Sequence, residues 1–122
     1  MPIRDKYCIA GVGNTRYGKL PGRSAESLTA EAIRNAIVDS GISKSEIDAV
    51  LTKAPTSNFQ MLFSARICQD LGIVPAVTAT LDAAGASPAA LIQYAAMCID
   101  EGLCNAAVVS YGDNPITGDR TT

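Results

Sequence analysis

The segment at residues 87–101 constrains the fold of this chain more than any other part of the sequence. The pair Ser87-Pro88 is typical of a helix start, and Gly102 is typical of a helix end. Between Pro88 and Glu101 only Gln93 and Asp100 are strongly polar, so the predicted helix is apolar on nearly every side. Such a helix belongs in an interior, and one sheet face of this size cannot cover it. We therefore expect residues beyond 122 or another subunit to pack over it, which makes the chain an apparent fragment.

Apolar runs and helical patterns alternate along the rest of the chain. The apolar runs predict four short strands, at residues 7–12, 49–52, 74–81 and 106–111. The helical patterns lie between them, at residues 24–40, from 57 or 58 to 71, and at 87–101. This order favours the α/β class, with right-handed crossovers and helices on both faces of a sheet.

Local signals set the ends of the early helical segments. Ser24 is placed to cap the first helix, and Gly41 is placed to end it in a left-handed conformation. Ser43 and Glu46 have the spacing of a capping box. A short helical turn is therefore predicted just before the second strand.

Length and composition exclude several classes of protein. With 122 residues, 48% of them apolar and 18% charged, the chain can bury one core and has no room for a second domain. Twelve acidic residues against ten basic ones give a net charge of −2, the wrong sign for a nucleic-acid-binding module. The sequence contains no histidine, so imidazole catalysis and histidine metal sites cannot be built from this chain.

The cysteines and the N-terminus indicate a cellular compartment. Cys8, Cys68, Cys98 and Cys104 fall in or beside apolar segments, which favours buried, reduced thiols over a disulfide framework. No C-x-x-C pair occurs, so no metal site is expected. The N-terminus lacks the apolar run of a signal peptide, and no stretch has the length of a membrane span. These features predict a cytoplasmic protein.

Two motifs have simple structural interpretations. The Gly-Val-Gly at residues 11–13 could begin a dinucleotide-binding loop, but the third glycine of that motif would fall at Arg16. We therefore interpret it as a turn. Asp82, Asp100 and Glu101 have no spacing that would pair two carboxylates on one face, and we interpret them as solvated faces and helix caps.

A turn of small residues, at 82–88, joins the third predicted strand to the apolar helix. Backbone amides and the positive end of a helix dipole can stabilise a thiolate or an oxyanion there. Gly85 would also permit close approach of a ligand to the backbone. A tight structural turn with a capped helix explains the same residues, and the sequence alone leaves both interpretations open.

At these residues the sequence resembles a known family. The order of strand, small-residue turn, Ala-rich helix, Gly102 and the apolar run at 106–109 resembles the first half of thiolase-like enzymes. Residues 9–15 resemble their opening strand and turn. With the tail at 111–115, the likeness is to the sterol-carrier-protein type of thiolase, often called acetyl-CoA acetyltransferase, and it covers essentially all of residues 1–122. It implies an α/β, thiolase-like half-module, with a mixed sheet and helices on both faces.

The resemblance also locates the family's nucleophile. That residue is a cysteine in a Cys-x-Ser-Gly-like pattern at the start of the buried helix, and the resemblance places it at Gly85. Ser87 and Gly102 match the family, whereas Gly85 and Pro88 depart from it. No catalytic residue is therefore carried over, and formation of an acyl-enzyme is not expected. Gly85, Ala86 and Ser87 are expected to form a turn that faces the acyl group or its oxyanion.

For function, the resemblance implies a protein of lipid metabolism that acts on acyl-CoA thioesters and forms or cleaves a carbon–carbon bond. The missing cysteine favours two alternatives: retro-aldol cleavage, or a non-catalytic subunit that binds acyl-CoA or acts as a scaffold. The chain by itself is expected to be inactive. Coenzyme A thioesters would be substrates, with no tightly bound cofactor, and the expected partners are further copies of the chain and an OB-fold protein.

Overall fold

A computed structural model describes residues 3–57 and 60–117. Three strands and three α-helices alternate in it: α1 (Ala25–Ser40), β1 (Ala49–Lys53), α2 (Phe63–Leu71), β2 (Val77–Leu81), α3 (Ser87–Asp100) and β3 (Ala107–Ser110). One turn of 3₁₀-helix, Lys44–Glu46, precedes β1. The strands are all parallel, in the order β2-β1-β3, so β1 is central. The predicted α/β class is confirmed, although the three described strands form a parallel sheet and not the mixed sheet that the resemblance implied.

The two faces of the sheet are covered by different helices. Successive side chains of a strand point to opposite faces, so Val50 and Leu51 belong to different cores. Val50 packs in a cluster with residues of α1 and α2, among them Ile33 and Phe63. Leu51 packs instead with Leu91 of α3. Helices on both faces were predicted from the sequence, and they are present.

The predicted strand at residues 7–12 is not a strand. Ile9 is 70% exposed and Val12 is 67% exposed, and the segment pairs with none of the described strands. It lies instead against α1, so closely that a Cβ on Gly11 would stand 2.7 Å from the Ala36 carbonyl oxygen. The glycines at 11 and 13 therefore let this segment pack closely on the backbone of α1. The apolar run predicted a buried strand, but the described residues leave it exposed.

The helix ends follow the predicted signals in part. Ser24 caps α1, in a capping box with Ser27, and Gly41 closes the helix in the left-handed region. The capping box predicted at Ser43 is wrong, since its hydroxyl lies 2.9 Å from the Ser45 hydroxyl and makes no cap. The helix predicted from residue 57 or 58 begins at Phe63. Position 58 lies outside the described residues.

None of the helices in the described ranges is long and apolar enough to cross a membrane.

Candidate functional site

The carboxyl ends of the three strands meet at one edge of the sheet, because all three run in the same direction. The segments that follow them are residues 54–57 after β1, 82–87 after β2 and 111–114 after β3. Ligands of open parallel sheets bind outside this edge. The small-residue turn singled out in the sequence is one of the three segments, so it lies at the edge where a ligand is expected.

The turn between β2 and α3 is held by its own hydrogen bonds. The Ser87 hydroxyl accepts from the Ala83 amide at 2.7 Å and donates to the Ala84 carbonyl oxygen at 2.8 Å. The amides of Ala86 and Ser87 donate to the carbonyl oxygens of Ala83 and Ala84. Ser87 is therefore the first helical residue and the clamp of the turn, and Ala86 occupies the N-cap position that was predicted for Ser87. These amides are already engaged within the turn.

Gly85 lies exposed at the tip of this turn. A Cβ added at this position would meet no atom within 4 Å, and the backbone is not in the left-handed region. A cysteine would thus fit here without strain or collision. Packing does not require a glycine at this position, which the resemblance in sequence aligned with the family's nucleophile.

Lys53, at the end of β1, is a residue that the sequence analysis missed. Its side chain is only 5% exposed, and its ammonium group donates to the Ala54 carbonyl oxygen at 2.7 Å. The same Nζ lies 3.8 Å from Asp82 Oδ1 and 4.8 Å from the centre of the Tyr111 ring. A lysine that directly follows the apolar run of a predicted buried strand was the available signal, because burial of an ammonium group requires compensation.

Asp82 and Tyr111 flank this lysine on its two sides. Asp82 Oδ1 accepts from the Ala84 amide at 3.1 Å, so the carboxylate interpreted as a solvated face also braces the turn, although its side chain is 66% exposed. Burial, with the nearby carboxylates of Asp113 and Asp82, raises the pKa of Tyr111 above its ordinary value. The phenol therefore keeps its proton and can donate it in a hydrogen bond.

A polar clasp ties the other two segments together. Asp113 accepts hydrogen bonds from the amides and hydroxyls of Thr56 and Ser57. Burial opposes its ionisation, but the hydrogen bonds from Ser57 and Thr56 outweigh burial and hold the pKa of Asp113 below its usual range. The buried Asn114 side chain donates to the carbonyl oxygens of Leu20 and Arg23, which fixes the loop before α1 to the same edge.

The cysteines lie away from the turn. Cys68, Cys98 and Cys104 are buried, as predicted, whereas Cys8 is exposed because the opening segment is not a strand. Burial raises the pKa of the Cys68 and Cys104 thiols. Cys98 is in the last part of α3, three turns from Gly85. No group of three metal-ligating side chains occurs in the described ranges.

Two curated relatives match nearly all of this chain. It is 28% identical over 119 residues to a 17-hydroxy-3-oxo-4-pregnene-20-carboxyl-CoA lyase of Mycobacterium tuberculosis. It is 27% identical over 113 residues to a steroid side-chain-cleaving aldolase of Thermomonospora curvata. The alignments cover 97% and 92% of this chain but 30% and 28% of the relatives. The chain therefore spans less than a third of their length.

Solved structures share the fold. An Ltp2-ChsH2(DUF35) aldolase, 27% identical, superposes with a TM-score of 0.70 over 83% of this chain and 26% of its own. An SCP2-thiolase-like protein type 1 from Mycobacterium smegmatis, 23% identical, gives 0.69 over 84% of this chain and 22% of its own. The priming β-ketosynthase of the R1128 polyketide pathway, also 23% identical, gives 0.70 over 78% and 29%. No family model matches the sequence.

Proposed function

We propose, on the premise that this chain is a partial thiolase-like module, that the protein cleaves a carbon–carbon bond of an acyl-CoA thioester by a retro-aldol reaction. Such a reaction needs a hydroxyl on the β-carbon of the thioester. A base takes the hydroxyl proton, the bond between the α- and β-carbons breaks, and the products are a ketone and an acyl-CoA. No acyl-enzyme forms, so no cysteine is required.

The observation that carries this proposal is Gly85. The turn is held by Ser87 and has room for a side chain at position 85, but the glycine there supplies no nucleophile. Two relatives named as a CoA lyase and as an aldolase support cleavage over acyl transfer. A non-catalytic acyl-CoA-binding or scaffold subunit is the second candidate, because the same missing nucleophile favours it.

The further features of the protein are proposals of the same kind. Coenzyme A thioesters are the substrate class, no tightly bound cofactor is needed, and the turn of Gly85, Ala86 and Ser87 faces the acyl end. We also propose that the protein forms homo-oligomers and binds an OB-fold partner protein. A structural neighbour whose name joins two components, Ltp2 and ChsH2, supports a second protein as partner.

The test compares two reactions in the complete protein that contains this chain, purified with its partner subunits, because the chain by itself is expected to be inactive. We expect cleavage of 17-hydroxy-3-oxo-4-pregnene-20-carboxyl-CoA into a ketone and an acyl-CoA. Mass spectrometry of the products measures this reaction. We expect no thiolysis of acetoacetyl-CoA, because position 85 has no thiol. Thiolysis without steroid cleavage would overturn the retro-aldol proposal. Binding of the steroid thioester with neither reaction would favour the non-catalytic subunit.

A Gly85→Cys variant tests the position of the turn. The introduced thiol would stand at the N-terminus of α3, so its pKa should fall below the free value of about 8.5. The rate of iodoacetamide alkylation against pH measures this, with the labelled peptide identified by mass spectrometry and the exposed Cys8 as the comparison thiol. If the thiol of the folded variant has a pKa at or above the free value, position 85 does not correspond to the family's nucleophile.

A further inference from the structure

The ion pair of Lys53 and Asp82 has no role yet in the proposed reaction, although it lies at the same edge as the turn. The Lys53 ammonium is almost fully buried, and its one hydrogen-bond acceptor among residues 3–57 and 60–117 is the Ala54 carbonyl oxygen. A buried ammonium group is costly unless opposite charge and hydrogen bonds compensate it. Asp82 supplies that charge at 3.8 Å.

The sheet itself builds this arrangement. Lys53 pairs in register with Leu81, so Asp82 follows directly on the neighbouring strand. On the other side Thr52 pairs with Ser110, which brings Tyr111 beside Lys53. Three adjacent parallel strands thus deliver the ammonium, the carboxylate and the phenol ring to one place, and strand ends hold side chains more firmly than a long loop does.

The two oxygens of Asp82 differ. Oδ1 accepts from the Ala84 amide and faces Lys53. Oδ2 receives no hydrogen bond from the described residues, and most of the side chain is open to solvent. A general base needs this combination, with one oxygen held in place and the other accessible to a substrate proton. Asp113 at the same edge cannot do this, since Thr56 and Ser57 occupy both of its oxygens.

We propose that Asp82 is the general base of the retro-aldol step and that Lys53 is its positioning residue, an assignment that rests on the proposed function. The Asp82 carboxylate takes the proton of the β-hydroxyl, and the electrons of that O–H bond form the new ketone. The pair of the broken carbon–carbon bond passes to the thioester as an enolate. Asp82 then returns the proton to the α-carbon, so the step is balanced and needs no oxidant or reductant.

The negative charges of the proposed step explain why a lysine is buried at this place. Before the step, the Lys53 cation faces the Asp82 anion; when Asp82 is protonated, the negative charge has moved to the enolate oxygen. A cation fixed beside both positions has an anionic partner throughout, which favours the charge that develops in the transition state. The amides of Ala83, Ala84, Ala86 and Ser87 are engaged in hydrogen bonds within the turn, so the Lys53 ammonium group is the cationic side chain that this edge offers beside Asp82.

The experiment measures cleavage of the same steroid CoA thioester by variants of the complete protein, purified with its partner subunits. Asp82→Asn keeps an acceptor for the Ala84 amide but removes the base, and we expect kcat to fall roughly 10²–10⁴-fold with little change in KM. Asp82→Ala should fall similarly and regain at least tenfold in activity with added formate, which can enter as an external base. Glu46→Gln removes an exposed carboxylate elsewhere and should change nothing.

Lys53 is tested through its dependence on Asp82. Lys53→Met should lower kcat by about 10- to 100-fold, and Lys53→Arg should recover part of the loss. In the Asp82→Asn background the Lys53→Met change should cost much less, because residues that act as a unit are not additive. Lys19→Met, at an exposed lysine, is the control.

Each outcome has one meaning. Cleavage that persists in folded Asp82→Asn, or Asp82→Ala that formate does not rescue, overturns the assignment of Asp82 and leaves the retro-aldol function standing. Equal effects of Lys53→Met in both backgrounds overturn the role of Lys53. Absence of cleavage by the unaltered protein overturns the function and the assignment together. If Lys53→Met does not fold, the same comparison of kcat in the two backgrounds is made with Lys53→Arg.

Discussion

The two faces of the sheet are covered to different extents. On one face, α1 and α2 together enclose side chains such as Phe63 and Ile67, which are 1% exposed or less. On the other face, α3 is the one helix among residues 3–57 and 60–117, and one side of it is buried against the strands. Ile92 and Met97 on α3 remain 46% and 45% exposed. The sheet thus has a closed side and an open side.

The proposed site lies on the open side. The side chains of Lys53, Leu51 and Ala49 alternate onto the face of α3, and the turn at Gly85 begins that helix. An apolar helix with an exposed outer surface calls for a second layer. That layer was predicted from the sequence as further chain or another subunit, and it stays a prediction.

The largest expected effect concerns the thiols of the two sides. Cys68 lies on the closed side and Cys98 on the open side, and both are buried. We predict that both are labelled by a maleimide roughly a thousandfold more slowly than in urea, because labelling requires opening of the structure. Mass spectrometry of the labelled peptides measures each site, with Cys8 as the fast control. Rapid labelling of Cys98 alone would show that α3 is not shielded in the native protein.

The next effect is a loss of stability on the closed side. Phe63→Ala removes a fully buried ring from the cluster between α1, α2 and the sheet. We expect the free energy of unfolding to fall by about 3–5 kcal/mol, measured by urea denaturation. Val38→Ala, at an exposed apolar position on α1, should stay within about 0.5 kcal/mol. A loss below about 1 kcal/mol for Phe63→Ala would mean that this side is not closed.

A pair of glycines then compares the two sides directly. A Cβ on Gly112 would lie 2.9 Å from the Thr29 backbone in α1, whereas a Cβ on Gly85 would meet nothing within 4 Å. Gly112→Ala should therefore cost about 1–3 kcal/mol through overpacking, and Gly85→Ala should cost less than about 0.5 kcal/mol. Thermal unfolding of both variants gives the comparison. Equal losses would contradict the difference in packing.

Most helices and strands on both sides could be located from the sequence. Ser24 and Gly41 mark the ends of α1 through local chemistry, and the strand at 49–53 is a short apolar run, so both kinds of element could be located. The opening segment could not, because an apolar run signals a need for burial and does not say whether a strand partner exists within the same chain. Residues 7–12 lie on α1 through glycine contacts that depend on tertiary packing.

The candidate site was predictable only in outline. The turn at 82–88 and its place before α3 followed from residue types at a strand-to-helix junction. The pairing of Lys53 with Asp82 did not, because it depends on which strands are neighbours and on their register. Two residues 29 positions apart carry no local pattern that would join them. The interpretation of Asp82 as a solvated face was reasonable for an isolated carboxylate and incomplete for one beside a buried lysine.

The smallest expected effect lies at the seam of the closed side, where Asp70 of α2 meets Glu26 of α1. The hydrogen bond to Glu26 raises the pKa of Asp70 from 3.8 to about 6, and burial and the Glu26 charge act in the same direction. Because the pKa of Asp70 is higher in the folded protein than in the unfolded chain, the protonated carboxyl stabilises the folded protein. This contribution is fully present below pH 3.8. That contribution is lost as the pH rises through about 6, where two carboxylates face each other.

Asp70→Asn should reverse this loss. The amide keeps a hydrogen bond to Glu26 and carries no charge, so the variant should melt about 1–3 °C higher than the unaltered protein at pH 7.5 in low salt. The gain should shrink as the pH is lowered from 7 to 4, since the carboxyl regains its proton in that window. Glu46→Gln removes one negative charge at an exposed position and controls for net charge. A gain that is the same at pH 4 and pH 7.5 would mean that the two carboxyls do not share a proton, and that α1 and α2 are held together by their apolar contacts and by the 3.0 Å ion pair of Arg66 with Glu26.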